Sequence, residues 1–214
     1  QTDQIGAIQE KLQFSEVPID AVFSYQLSTI TTSPPDLILN GSLRGEKVNE
    51  INSIFDSCKW MNFQGINGCG KSQLAAVVAR TFTNVFWLDL RPFRNEPDKC
   101  LAYLSTFLSE VCSLPIGKSK VEWINDVINR LPDDTIIVLN DIPSPTDNEG
   151  LFELLTIIAN AIKQRETRLL TTSNFKVPSQ FASIIADSGF QEYYDFNFNE
   201  GEIIEYLSNS SAPD

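Results

Sequence analysis

Histidine is absent from this 214-residue chain. Its absence removes Ser-His-Asp and Cys-His catalysis, and every imidazole-ligated metal site, from consideration. The four cysteines, Cys58, Cys69, Cys100 and Cys112, form no C-x-x-C pair. Neither zinc nor thiol-redox chemistry is therefore suggested, and scattered thiols fit a reducing cytosol, so a cytoplasmic location is expected. Basic runs are missing too. Lys and Arg number 16 against 28 Asp and Glu, a formal net charge of −12. Such a chain is a poor ligand for a polyanion, so direct nucleic-acid contact through it is not expected. No apolar run is long enough to span a bilayer and no secretory leader is visible, which argues against a membrane partner. The chain opens at Gln1 and closes on Ser-Asn-Ser-Ser-Ala-Pro-Asp, and it is expected to be a segment of a longer protein.

What is present is a phosphate-binding pattern. Residues 65–72 read Gly-Ile-Asn-Gly-Cys-Gly-Lys-Ser, a match to G-x-x-x-x-G-K-[ST] with an additional glycine at 68. Phosphates need several backbone N–H groups turned inward, and glycines let the chain curl that tightly. The following helix adds its positive N-terminal end. Lys71 would reach the β- and γ-phosphates, and the Ser72 hydroxyl would hold Mg²⁺. The flanks suit the motif. Trp60–Gln64 reads as a buried strand, and Leu74, Val77 and Val78 lie at helical spacing.

From Trp60 onward, strands and helices alternate. Strands are expected at 60–64, 84–89, 135–140, 168–172 and 192–198. Helices are expected at 45–57, 71–82, 97–113, 119–131, 150–165, 178–187 and 200–208, with a further short one at 1–12. A short strand around Phe23–Leu27 and a turn at Asn40–Gly41 complete the reading. The alternation implies an α/β domain with a parallel sheet and ligands at the carboxyl ends of its strands. The expected boundaries are an arm at 1–35, a phosphate-loop domain at 36–198, and the start of a truncated helical domain at 199–214.

A phosphate loop needs a second strand ending in an acid, which supports Mg²⁺ or polarises the attacking water. Thr135–Asn140 runs into Asp141, so Asp141 is the candidate catalytic and metal-supporting acid beside Lys71. A third strand, Arg168-Leu-Leu-Thr-Thr-Ser-Asn174, ends in small polar residues that can stand beside a γ-phosphate.

In this order, the three segments resemble the NB-ARC/STAND class of signal-transducing P-loop ATPases over about residues 35–208. The resemblance implies a three-layer P-loop NTPase core of the ASCE/AAA+-like kind, with a five-stranded, mainly parallel sheet. It places the Thr-Thr strand between the phosphate-loop strand and the acidic strand. It also implies ADP in a resting state, exchange for ATP, self-association of the full-length parent, and a role in immune, antiphage or cell-death signalling. The nucleotide contacts it implies are Gly65, Asn67, Gly68, Cys69, Gly70, Lys71, Ser72, Gln73, Arg44 and Thr172, with Mg²⁺ at Ser72 and Asp141.

Three positions depart from the family pattern. Asn140 stands where the first of two acids is usual, and Ser173 stands where an arginine often senses the γ-phosphate. Leu43-Arg44-Gly45 replaces Gly-Arg before the first helix, so Arg44 either contacts nucleotide or caps a solvated turn. Slow or absent hydrolysis follows from the first two. An acid restored at 140 would tighten Mg²⁺-dependent binding if the position faces the metal, and would bury an unpaired charge if it faces the core. The readings that remain are a slow nucleotide switch, a non-hydrolysing nucleotide-binding scaffold, and an AAA+-like motor or loader subunit.

Overall fold

In the computed structural model the chain divides into two units, Gln1–Thr31 and Thr32–Asp214. Residues 33–37, 44–93, 96–112, 119–144, 149–177 and 189–209 are described, all in the second unit. The expected helices at 1–12 and 178–187, the strand near 23–27 and the turn at 40–41 lie outside them.

The elements follow as α1 (Gly45–Phe55), β1 (Trp60–Gln64), α2 (Lys71–Ala79), β2 (Asn84–Asp89), a 3-10 turn (Arg91–Phe93), α3 (Pro97–Cys112), α4 (Lys120–Arg130), β3 (Thr135–Asn140), α5 (Glu149–Ile162), β4 (Arg168–Ser173), β5 (Phe190–Tyr193) and α6 (Glu200–Asn209). The five strands form one sheet in the order β2-β3-β4-β1-β5, and every pairing is parallel. The Thr-Thr strand β4 thus lies between β1 and β3, as expected. Among the described residues no helix is long and apolar enough to cross a membrane.

Strand alternation sorts the core into two faces. Met61, Phe63, Trp87, Ile136, Val138 and Leu170 pack with α1 and α2 in one cluster. Trp60 points the other way and meets Phe152 of α5, ring centroids 6.4 Å apart. All six residues of β3 are buried, the signature of a central parallel strand covered on both faces. Helix α2 lies close against the sheet because its contact positions are small: Ala75, Ala76 and Ala79 are fully buried. Helix α4 starts where Ser119 caps it, accepting the Glu122 N–H.

One strand moves. The 192–198 expectation becomes Phe190–Tyr193. Gly189, at φ 66°, makes the turn, and its carbonyl accepts the Lys59 and Trp60 N–H groups. That sets the register Trp60↔Phe190, with the two rings 4.8 Å apart. Past Tyr193 the chain leaves the sheet, held by the Lys47–Asp195 ion pair at 2.5 Å and by Arg44, which donates to the Phe196 carbonyl at 2.5 Å. Helix ends shift by a few residues: α2 closes at Ala79 rather than 82, and α5 at Ile162 rather than 165.

Candidate functional site

The loop between β1 and α2 turns through Gly68 at φ 84° and Gly70 at φ 95°, conformations that side chains rarely adopt. Gly70 occupies the N-cap of α2 and offers no side chain to cap it. The first-turn N–H groups of that helix are therefore not claimed by a capping side chain, which suits an anion. Space at Gly65 is tight, and a side chain there would force Cys69 or Phe196 to shift. A Cβ there would lie 2.8 Å from Cys69 Sγ and 3.2 Å from the Phe196 ring. Asn67 is exposed beside Ile66 at the apex. Gln73 donates its amide to the Asp36 carbonyl at 3.2 Å.

Lys71 is buried, and its ammonium crosses the loop. It donates to the Gly65 carbonyl at 2.6 Å, the Ile66 carbonyl at 2.9 Å and Asn174 Oδ1 at 3.0 Å. Asn174 thereby joins the site. The signal is in the sequence, since Asn174 closes the polar exit of β4 two residues beyond Thr172.

Thr172 and Asn140 lie beneath the loop. Alternation puts Asn140 on the face of Ile136 and Val138, and Thr172 on the face of Leu170, which is the α2 face. Ser72 Oγ donates to Asn140 Oδ1 at 2.7 Å, and Thr172 Oγ1 donates to the same oxygen at 2.9 Å. Thr172 Oγ1 also accepts the Asp141 N–H at 2.7 Å. Thr172 is 1% exposed, so it braces the ends of β3 and β4 from below. Asp141 is 5% exposed and leaves β3 in a left-handed turn, φ 64°. Alternation therefore no longer governs its direction.

Arg44 is also left-handed, at φ 79°. It is 5% exposed, and its guanidinium lies 4.1 Å from the Phe198 ring centroid. Its Nη1 stands 4.0 Å from where a Cβ on Gly70 would be, so the cation flanks the phosphate loop. Burial lowers its pKa, partly countered by Glu202. The solvated-turn alternative for Arg44 does not hold, because the side chain is buried.

Among the described residues there is no group of three or more His, Cys, Asp or Glu that could hold a metal ion. Ser72 Oγ and the Asn140 amide oxygen are nonetheless hard oxygen donors, side by side at a helix N-terminus. That set fits Mg²⁺, which keeps several waters and leans on substrate phosphates. It does not suit a softer metal.

Neither the protein-family models nor the curated proteins compared with the chain match it. Among solved structures, it is similar to the ORC1 protein of Aeropyrum pernix in complex with DNA, at 15% identity and a TM-score of 0.49, covering 82% of this chain and 50% of that one. A Walker-type ATPase of Pyrococcus abyssi gives 14% identity and a TM-score of 0.47, covering 78% of this chain and 57% of that one. PCH-2 of C. elegans gives 17% identity and a TM-score of 0.44, covering 81% and 48%. The chain spans about half the length of these solved chains.

Proposed function

We propose that this domain binds ATP and ADP with Mg²⁺ through residues 65–72 and hydrolyses ATP slowly. The observation that carries the reading is the buried Lys71 ammonium drawn across the glycine loop, toward Gly65, Ile66 and Asn174. In that position it is the point charge for the β- and γ-phosphates, with the α2 N-terminus behind it. Mg²⁺, when bound, would neutralise charge on the transferring phosphoryl group. Ser72 would hold it, and Asn140 would accept from Ser72 or from a metal-bound water. Asp141 is the proposed acid for orienting the attacking water. Asn174 is positioned to sense the γ-phosphate through Lys71.

Asn140 and Ser173 are both uncharged, so less electrostatic stabilisation is available to the transition state. Steady-state phosphate release should fall below the roughly 1–100 per second of ordinary kinases. Slow turnover favours a nucleotide-dependent switch of the STAND kind, with self-association in the longer parent and cytoplasmic action. An AAA+-like motor or loader is the second reading, and the five-stranded order β2-β3-β4-β1-β5 favours it equally. The excess of acidic residues, 28 against 16, favours no direct nucleic-acid contact in either case. Titrating wild type and Lys71→Ala with a fluorescent ATP analogue tests the site. Wild type should bind and the variant should not, and equal affinities would refute the assignment.

A further inference from the structure

We propose that Asp89, at the end of β2, is the acid of the metal site, acting as a positioning residue through Asn140. The inference rests on residues 65–72 being the nucleotide site. In sequence, Asp89 closes the strand Asn-Val-Phe-Trp-Leu-Asp. Alternation from Trp87 puts it on the α2 face, and the sheet registers it opposite Asn140. Asp89, Asn140 and Thr172 thus form a row across the carboxyl ends of three adjacent strands, beneath Ser72.

The hydrogen bonds give that row a direction. Asn140 Nδ2 donates to Asp89 Oδ1 at 3.3 Å, while Asn140 Oδ1 receives Ser72 and Thr172. The two ends of an amide have nearly the same shape, and hydrogen-bond partners decide which is which. A carboxylate only accepts, so the nitrogen must face Asp89. The oxygen must then face Ser72 and any hydrated cation beside it. Asp89 is itself fixed. Arg91 Nε donates to both its oxygens, at 3.0 and 2.8 Å, the Arg91 N–H donates at 3.1 Å, and Arg91 Nη2 pairs with Oδ2. The Asp89 side chain is 6% exposed and that of Arg91 60%, so the cation faces water while the carboxylate faces the site. Position 140, where the family pattern has an acid, holds an amide here, and the buried acid stands one strand over at Asp89, as if it had exchanged strands.

The exchange makes a distinctive prediction. Asn140→Asp alone puts two carboxylates in one registered pair. It should lower the melting temperature without tightening Mg²⁺-dependent binding, as like charges in contact cannot both ionise. Asp89→Asn alone removes the requirement on the amide. It should weaken the Mg²⁺-dependent part of binding by about tenfold or more, as loss of an outer partner of a metal ligand does. Asp89→Asn combined with Asn140→Asp restores an amide-to-carboxylate bond with the charge now beside Ser72. It should recover the melting temperature and at least the wild-type Mg²⁺ dependence.

The experiment uses the full 214-residue chain, a fluorescent ATP analogue, and titrations in Mg²⁺ and in EDTA, alongside melting curves. Affinity in EDTA reads the phosphate loop by itself. Absence of wild-type binding in both EDTA and Mg²⁺ would refute the nucleotide site, whereas persistence of EDTA affinity in all variants isolates the metal question. An unchanged ratio of Mg²⁺ to EDTA affinity in Asp89→Asn would overturn the proposal. So would an Asn140→Asp protein as stable as wild type with tighter Mg²⁺ binding. If Asp89→Asn does not fold, the double variant decides: folded with Mg²⁺ dependence supports the exchange, and unfolded or without it overturns the exchange.

Discussion

Replacing Asn62 by alanine should destabilise the domain far more than its place in a five-residue strand suggests. Asn62 is fully buried in β1, on the face of Trp60. It accepts from Thr171 Oγ1 at 2.9 Å and donates to Ser173 Oγ at 3.0 Å. Thr171 Oγ1 in turn accepts the Trp60 indole N–H at 3.0 Å, and Ser173 donates onward to the Phe175 carbonyl at 2.8 Å. Removing the amide leaves Ser173 a donor role but strands the Thr171 hydroxyl proton. A stranded buried donor costs about 1–3 kcal/mol, and the void left by the amide adds to that. A total near 3 kcal/mol corresponds to roughly 6–12 °C in melting temperature for a domain of this size. A double-mutant cycle with Thr171→Val isolates the hydrogen bond. Valine removes the stranded hydroxyl, so the double variant should be more stable than the sum of the singles predicts, by about 1 kcal/mol. Additivity, or a melting shift of only a degree or two for Asn62→Ala, would refute the reasoning.

The thiols should separate by environment. Burial pushes Cys58 up to about 11 and Cys100 up to about 12, so both should resist a thiol reagent at pH 8. Cys69, half-buried in the phosphate loop, should be labelled first, and ATP should slow it while leaving Cys112 unchanged; mass spectrometry of labelled peptides reads both. The pH dependence of stability should carry a trace of the Lys47–Asp195 pair. The Lys47 hydrogen bond, then the Asn197 N–H, hold the Asp195 carboxyl below the usual carboxylate range. A depressed carboxylate stabilises the fold above its ordinary pKa and loses that contribution as pH falls through the lower folded value. The carboxylate is 55% exposed, so the contribution is less than about 1 kcal/mol. Lys47→Met should flatten the acid limb of the melting curve slightly, and an unchanged limb would show the pair to be inert.

The architecture was legible in the sequence because parallel strands covered on both faces read as apolar runs. Thr135–Asn140 and Asn84–Asp89 were located to the residue for that reason. β5 was not, because aromatic residues continue past its end. Tyr194, Phe196 and Phe198 look like strand, yet Phe196 turns to pack on Phe63 and Tyr193 while Phe198 lies under Arg44. A tertiary contact there overrides a local pattern.

The glycine loop and the placing of Lys71 and Ser72 at the start of α2 were legible because that pattern is local in sequence. What joins Asp89 to Asn140 is lateral, one strand to the next, and a single sequence does not state which residue of β2 lies opposite which of β3. Once the register Asp89↔Asn140 is known, alternation alone puts both on the α2 face. Asn140 then ceases to be a missing acid. It becomes an amide whose oxygen is turned to Ser72 because a buried carboxylate holds its nitrogen. The same lateral logic applies to Thr172, whose hydroxyl ties the Asp141 backbone to the Asn140 amide. The chemistry of the strand ends is therefore a property of three strands read together.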